Sequence, residues 1–392
     1  MARLIQKVNA GRFTDLFATR KKAGEIASHV YGTSRTLVVG PAPSPLYPSI
    51  SPDFRTIGEA MAFIPLPGKT NAGEVILAAP QDTWTILVLP GVYHEEIKMK
   101  PNVILVGIGQ SAVIFPPANW VSPEGPGGRR AVVYLNHNNS VQNLVFGKLG
   151  MTSTDYVFWN RDCYDIGDRM EGVDTNRRAI APSGIGITDV WVWPYPVAPG
   201  AAETSTLGKT LLMEGDWHTA LFTNFGSSYW ETSGYDVELR GGGSDAAKAT
   251  AKDCHFTNCF FDALFIDSFS DGAFLVDNCI DVHLRNSLVR TTPSPAWRKA
   301  HQTEPAPGAC VKVRANGHLW LESSHLEAPG TNSYRLLDVD DESVCFFRAS
   351  STDSVLGENN VRWPAWPRPP ALAPVPSGFG WPSPSRPFGY GP

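Results

Sequence analysis

The chain has 392 residues, of which 42% are hydrophobic and 18% charged, and its formal net charge is −5. We expect neither a signal peptide nor a membrane partner, because no apolar run approaches the roughly 18 residues of a membrane span. No block of Lys and Arg stands out, which argues against a nucleic-acid partner. The high content of Gly (36) and Pro (33) indicates a chain rich in turns and short strands.

The cysteine pattern argues against a metal site. None of the six cysteines forms a CxxC pair, and no histidines stand at zinc-binding spacing beside them. Most of them lie in apolar, strand-like runs. We therefore predict buried free thiols, no metal and no cofactor, for Cys163, Cys254, Cys259, Cys279, Cys310 and Cys345.

The first 52 residues predict an N-terminal arm. Apolar residues in 1–35 are spaced along one helical face, and a short strand (36–39) and a Pro/Ser loop follow. A short helix is then predicted over 53–61, with Phe54 and Ile57 among the residues of its apolar side. That helix suits the open end of the core that follows.

From residue 85 onward the chain alternates short apolar runs with Gly, Pro and Asn. Runs this short, repeated this often, predict coils that stack with hydrogen bonds between them. We therefore predict a right-handed parallel β-helix over 53–362. A β-sandwich is the rival fold, but it needs longer strands and hairpin turns, which are scarce here. Small polar residues at the turns predict side-chain ladders at Asn258, Asn278, Asn286 and Ser323.

Three polar or Pro-rich insertions (148–183, 194–209 and 291–308) interrupt the predicted coils. Such loops decorate one side of a solenoid and often carry its function. The tail, 363–392, holds ten prolines in thirty residues and predicts an extended segment. It binds a partner or lies along its own β-helix, and its predicted anchors are Trp363, Trp366, Trp381, Phe388 and Tyr390.

Residues 53–115 resemble the opening of the pectin methylesterase and pectate-lyase-like superfamily. The resemblance is carried by Asp53-Phe-Arg-Thr-Ile-Gly-Glu-Ala, Leu89-Pro-Gly-Val-Tyr-His-Glu-Glu and Val103-Ile-Leu-Val-Gly-Ile-Gly. It implies the β-helix fold, and virion β-helix proteins of phages are similar at this point. The catalytic motifs of pectin methylesterases are not matched. Gln81-Asp-Thr-Trp resembles the first of these motifs, but it precedes the turn Gly91-Val-Tyr-His-Glu that the motif should follow. Asp155-Tyr-Val-Phe-Trp resembles the second motif, but Trp159 stands where that motif has glycine.

No catalytic residue is therefore assigned from the resemblance. Glycoside hydrolysis needs two carboxylates about 5–10 Å apart. Asp267 and Asp271 are weak candidates, and turn residues are an equally good interpretation. The acidic run 338–342 indicates a solvated turn more than a calcium site. Sugar stacking, subunit contact and loop packing stay open for the central aromatics Trp191, Trp193, Trp217 and Trp230.

These observations favour a virion structural protein, made in the host cytoplasm and carried on a phage head or tail. We expect a homo-oligomer, in particular a trimer, whose arms bind other virion proteins. The alternatives are a carbohydrate-active enzyme (a polysaccharide depolymerase or esterase) and a non-catalytic module that binds surface polysaccharide.

Overall fold

A computed structural model describes most of the chain between residues 35 and 362. The described residues are 35–41, 51–64, 83–118, 120, 128–160, 183–193, 208–214, 217–241, 256–293, 299–300, 308–328, 335–348, 350–352 and 361–362.

Strands dominate these residues. The first eight are β1 (Arg35–Val39), β2 (Trp84–Val88), β3 (Gly91–His94), β4 (Ile97–Lys98), β5 (Val103–Gly107), β6 (Ala112–Phe115), β7 (Ala131–Tyr134) and β8 (Ser140–Gln142). The next eight are β9 (Val145–Gly147), β10 (Tyr156–Trp159), β11 (Ser183–Trp193), β12 (Lys209–Glu214), β13 (Trp217–Arg240), β14 (Phe256–Asp277), β15 (Val282–Arg285) and β16 (Leu288–Thr291). The last seven are β17 (Ala309–Arg314), β18 (His318–Glu322), β19 (His325–Glu327), β20 (Arg335–Val339), β21 (Val344–Arg348), β22 (Ser351–Thr352) and β23 (Val361–Arg362).

Every pairing between these strands is parallel, and each strand pairs with the equivalent strand of the next coil. The first sheet begins β1–β2–β5–β8 and ends β15–β18–β21. The second begins β3–β6–β9 and ends β16–β19–β22. The third runs from β4, β7, β10 and β12 to β17, β20 and β23. Strands β11, β13 and β14 bend round corners and connect sheets within a coil.

This topology confirms the predicted right-handed parallel β-helix, the hand that parallel crossovers adopt. Parallel strands in consecutive coils exclude the rival β-sandwich, which needs antiparallel pairs. The stack also reaches further back than residue 53, the predicted start of the β-helix, because β1 pairs with β2 in full register.

A single residue in the left-handed conformation makes the tight corner between the first and second sheets. Positive φ is costly for residues with a Cβ, but Asn and Asp tolerate it best. Successive coils have positive φ at this corner at Asn143, Asp189, Asn224, Ala263, Asn286 and Ser323. At this corner Asn286, one of the four predicted ladder residues, donates to Asp262 Oδ1 at 2.9 Å, and Asn224 donates to Asp189 Oδ1 at 2.6 Å.

Helix α1 (Ile57–Phe63) covers the first coil. Its N-terminus is a capping box, in which Thr56 accepts from the backbone N–H of Glu59 and Glu59 reaches back. Glu95 accepts the N–H groups of Ile57 and Gly58 at 3.0 and 2.8 Å. These bonds fix the helix so that its apolar side, including the buried Met61, packs on the core as predicted.

One continuous apolar core fills the interior from the first coil to the last. Three of its residues, Cys259, Cys279 and Cys310, are buried free thiols, and Cys345 is a half-buried one, as predicted. Burial raises the pKa of the Cys345 thiol to about 12, so this side chain is inert at neutral pH. Cys163 and Cys254 lie outside the described residues.

One predicted insertion is shorter than expected. The range 148–183 was expected to be a loop, yet β10 lies inside it and pairs with β7 and β12. The cause is the apolar run Tyr156-Val-Phe-Trp, which the surrounding polar residues obscure. The predicted helical leader before residue 35 and the tail 363–392 lie outside the described residues.

Candidate functional site

Alternating charges line the outer face of the third sheet. Glu214, Arg240, Asp277 and Arg314 stand in register on four successive coils. Side chains along a strand alternate between the core and the outer face. In β13, for example, Val237 and Leu239 point into the core, so Glu238 and Arg240 point outward. The result is a row of opposite charges along the helix axis, spanning roughly 14 Å at the strand spacing.

The row is held by direct ion pairs. The guanidinium of Arg314 donates to Asp277 Oδ2 at 2.7 and 3.0 Å, and Arg240 lies 3.6 Å from the same oxygen. At the other end, Arg129 donates to Glu214 Oε1 at 2.9 Å and Trp159 Nε1 donates to Oε2 at 3.1 Å. Asp277 is thus shared by two arginines, which fixes both guanidinium groups.

Behind this row lies a buried polar chain. Lys209 Nζ donates to Glu238 Oε1 at 2.8 Å and to the hydroxyl of Tyr156 at 3.3 Å. The other oxygen of Glu238 accepts from Arg240 Nε at 2.8 Å. We call Lys209, Tyr156 and Glu238, together with Glu214, Arg240, Asp277 and Arg314, the charged face.

Burial and neighbouring charges set the protonation states of Glu238 and Tyr156 on the charged face. Burial alone would raise the pKa of Glu238, but Lys209 and Arg240 outweigh it and lower that pKa. Burial, together with the charge of Glu238, raises the pKa of Tyr156 far above its usual range. At neutral pH Glu238 is therefore a carboxylate and Tyr156 a neutral phenol.

Cations outnumber anions on this side of the solenoid. Among the outward-facing side chains of the described third-sheet strands from β12 to β20, with the adjoining Arg129, six cations stand against four carboxylates. The cations are Arg129, Lys209, Arg240, Lys312, Arg314 and Arg335, and the carboxylates are Glu214, Glu238, Asp277 and Asp338. The chain as a whole carries −5, so the local excess of positive charge is a feature of this face.

The described residues do not test the predicted carboxylate pair. Asp267 lies on the outer face of the second sheet, 3.9 Å from Arg290, and burial raises its pKa. Asp271 belongs to β14, but its side chain lies outside the described residues. Their pairing therefore stays a prediction. Asp340 accepts the N–H of Ala315 at 2.7 Å, which fits the predicted turn, and the described residues contain no group of three or more potential metal ligands.

Two of the four predicted tryptophans have described side chains, and both lie on the second sheet. Trp191 and Trp193 stack with centroids 5.6 Å apart and planes 10° apart. Trp193 is 41% exposed. Trp191 also lies 6.2 Å from Phe265, so packing between coils accounts for its position. The side chains of Trp217 and Trp230, and the five predicted tail anchors, lie outside the described residues.

Sequence reasoning missed the charged face because none of its members forms a short motif. One signal was present: Glu238 and Arg240 alternate with apolar residues, as do Lys312 and Arg314. Alternation of this kind marks an exposed strand face but does not show which strands are neighbours. No helix among the described residues is long and apolar enough to cross a membrane.

Comparisons with known proteins give fold-level likeness alone. No family model and no curated protein matches the sequence. A similar solved structure is pectin methylesterase PemA from Erwinia chrysanthemi, 14% identical, covering 84% of this chain and 92% of that one at a TM-score of 0.42. Pectin methylesterase from carrot is 11% identical, with 83% and 85% covered and a TM-score of 0.39.

A third similar structure is the A-module of mannuronan C-5 epimerase AlgE4 from Azotobacter vinelandii. It is 10% identical, with 75% of this chain and 87% of that one covered and a TM-score of 0.31. Pectin methylesterases and the epimerase are right-handed β-helix proteins. At these identities and TM-scores we transfer no residue role and no activity, and the fold assignment stands on the strand pairing described above.

Proposed function

We propose that this protein is a non-catalytic carbohydrate-binding β-helix that holds an acidic polysaccharide along the charged face. The observation that carries the proposal is the register of Arg240 and Arg314 around Asp277, with an excess of cations beside them. A guanidinium group binds a carboxylate through paired hydrogen bonds, which suits uronic acid units. A solenoid side is long and repetitive, as a polymer ligand requires.

The charges favour binding over glycoside hydrolysis. Hydrolysis needs one carboxyl group with a raised pKa to act as the acid. Each of the four carboxylates counted on this face has a cationic partner within 4.0 Å. Glu238, the most enclosed of them, has a lowered pKa. The face therefore keeps Glu238 ionised and holds its arginines in fixed orientations.

A matched pair of arginine variants tests the proposal. Arg314 and Arg285 are both 41% exposed and each pairs with one carboxylate, but Arg285 lies on the first sheet. Arg314→Gln should weaken binding of polygalacturonate by about tenfold, the effect of losing one charge-assisted hydrogen bond of roughly 1.5 kcal/mol. Arg285→Gln should leave the affinity unchanged. Isothermal titration calorimetry at fixed salt measures both.

Two uncharged polymers test whether binding depends on the charge of the ligand. Fully methyl-esterified pectin and dextran, which carry no charge, should not bind. Equal affinity for charged and uncharged polymers, or an equal loss in both arginine variants, would contradict the charged face as the binding site. Raising the salt concentration should weaken the interaction with polygalacturonate, because exposed ion pairs are screened.

The virion assembly hypothesis rests on the arms, residues 1–52 and 363–392. Within them the structure describes only 35–41 and 51–52, so the trimer, the virion partners and the virion location stay predictions. The charged face is compatible with a particle protein that holds surface polysaccharide. Occupancy of particles by a chain lacking residues 363–392 tests the assembly role separately from polysaccharide binding.

A further inference from the structure

The interior of the β-helix contains an ion pair that the charged face does not use. Lys148 follows β9 and points into the core, where its Nζ lies 3.2 Å from Asp236 Oδ1. Both side chains have 0% exposure. Asp236 lies in β13, and the coil formed by β11 and β12 stands between the two residues. The lysine side chain therefore reaches past one whole coil to its partner.

Polar groups hold the carboxyl group of Asp236 in place against this amine. The backbone N–H of Thr210 donates to Oδ1 at 2.9 Å. The hydroxyl of Ser227 donates to Oδ2, and the hydroxyls of Thr210 and Ser227 contact each other. Both oxygens thus accept hydrogen bonds from preorganised donors, which polarises the carbonyl carbon toward attack by a nucleophile.

The surroundings also favour a reactive amine. Val192 pairs with Ser227 and belongs to the apolar core, as does Phe146 on the preceding coil. Burial lowers the pKa of Lys148 to about 8, with Asp236 partly opposing the shift. A substantial share of this amine is therefore neutral at mildly alkaline pH, and the neutral form is the nucleophile.

We propose that Lys148 and Asp236 condense into an intramolecular amide that cross-links the two coils. One proton passes from the Lys148 ammonium group to the Asp236 carboxylate, and the lone pair of the neutral Nζ then attacks Asp236 Cγ to form a C–N bond. A second proton passes from Nζ to the same oxygen, its C–O bond breaks, and the oxygen leaves as water. An ammonium and a carboxylate become one secondary amide and one water, and no oxidant or other reactant is needed.

The reaction removes two charges from the core. Burying an ion pair carries a desolvation penalty that the mutual attraction only partly repays. The amide is neutral, and its one carbonyl oxygen retains the donor that now serves that oxygen of Asp236, either the Thr210 N–H or the Ser227 hydroxyl. The product therefore leaves no charge in the core and loses one of the two hydrogen bonds.

The test is the mass of the intact, denatured full-length protein. We expect the mass given by the sequence less one water. Trypsin does not cut after an acylated lysine, so peptide 131–161 should appear joined to peptide 210–240 as a branched species. An intact mass equal to the sequence mass, with separate peptides 131–148 and 210–240 after prolonged incubation at pH 8–9, overturns the proposal.

Variants separate this linkage from other losses of water. Asp236→Asn should form the same amide with loss of ammonia, whereas Lys148→Arg should retain the full mass. Lys209→Arg changes the other buried lysine–carboxylate pair, and the loss of one water should persist in it. If Lys148→Arg fails to fold, the branched peptide in the unaltered chain decides the question alone. A loss of water located elsewhere in the digest contradicts the proposal.

Discussion

At the scale of single residues, the electrostatic balance around Glu238 decides what the third sheet presents to solvent. Its carboxylate lies between Lys209 and Arg240 with almost no solvent contact. Removing the negative charge would leave the buried Lys209 beside the half-buried Arg240 without the carboxylate that they share. That arrangement is far more costly than the ion pairs it replaces, because only Asp277, 3.6 Å from Arg240, still offsets the two positive charges.

Glu238→Gln should therefore lower the free energy of unfolding at pH 7 by about 3–5 kcal/mol. The folded-state pKa of Glu238 lies below the ordinary value of 4.5. Its contribution is complete above pH 4.5 and is lost as the pH falls through the folded-state pKa. The difference between the two proteins should accordingly shrink below pH 4.5, as measured by urea denaturation at a series of pH values.

The matched control is Glu322→Gln, which removes a carboxylate paired with Arg285 at 2.8 Å on the first sheet. That pair is partly exposed, so its loss should cost at most about 1 kcal/mol. A Glu238 variant as stable as the Glu322 variant at pH 7 would show that the buried chain does not stabilise the fold.

At the scale of elements, close packing between coils depends on glycine where a large ring crosses a strand. Trp191 on β11 lies over Gly226 on β13, its register partner. A Cβ built at Gly226 would stand 2.0 Å from Trp191 Cε3. The ring therefore fits against the next coil only because position 226 has no side chain.

Gly226→Ala should destabilise the protein by about 1–3 kcal/mol, the usual effect of overpacking. Gly186→Ala is the control, since the nearest atom to its added Cβ is Ser140 Oγ at 3.5 Å, an ordinary contact. Thermal unfolding followed by circular dichroism compares the two. Equal melting temperatures for both variants would mean that Trp191 moves aside without cost.

At the corner between the first two sheets, one substitution should stabilise the protein. Ala263 holds φ of +57° and is exposed, whereas its neighbours in the stack are mostly Asn or Asp. Asparagine adopts this conformation more readily than alanine. Ala263→Asn should raise the free energy of unfolding by roughly 0.5–1 kcal/mol. The reverse change, Asn286→Ala, should lower it, and a loss of stability in both would contradict the conformational argument.

The sequence predicts which segments form strands better than it predicts which strands lie next to each other. The short apolar runs of β15 and β18, bounded by Asn and Gly, are enough to predict strands that stack in coils. The charged face could not be predicted, because Glu214 and Arg240 are 26 residues apart whereas Arg240 and Asp277 are 37 apart. Loops of unequal length separate the coils, so spacing along the chain does not give register. The equal step from Asp277 to Arg314 was the one periodic clue.

At the scale of the whole molecule, the two ends of the described solenoid differ. Helix α1 covers the first coil and buries Ile57 on the core. On the last full coil of the first sheet, Phe346 and Phe347 are 42% and 37% exposed. Trp320 stacks on Phe346 with centroids 4.0 Å apart, which continues the ladder of rings begun by Phe260 and His283. The last described coil of the first sheet thus leaves two large aromatic side chains partly exposed.

The reach of Lys148 across an intervening coil has a mechanical consequence. In a solenoid each turn contacts only its neighbours, so a pulling force applied at one terminus peels turns away one after another. The pairing of Lys148 with Asp236 ties three consecutive turns together, and the middle turn cannot leave while the outer two stay joined. Under load those three turns should yield in a single step, at a higher force than the turns on either side.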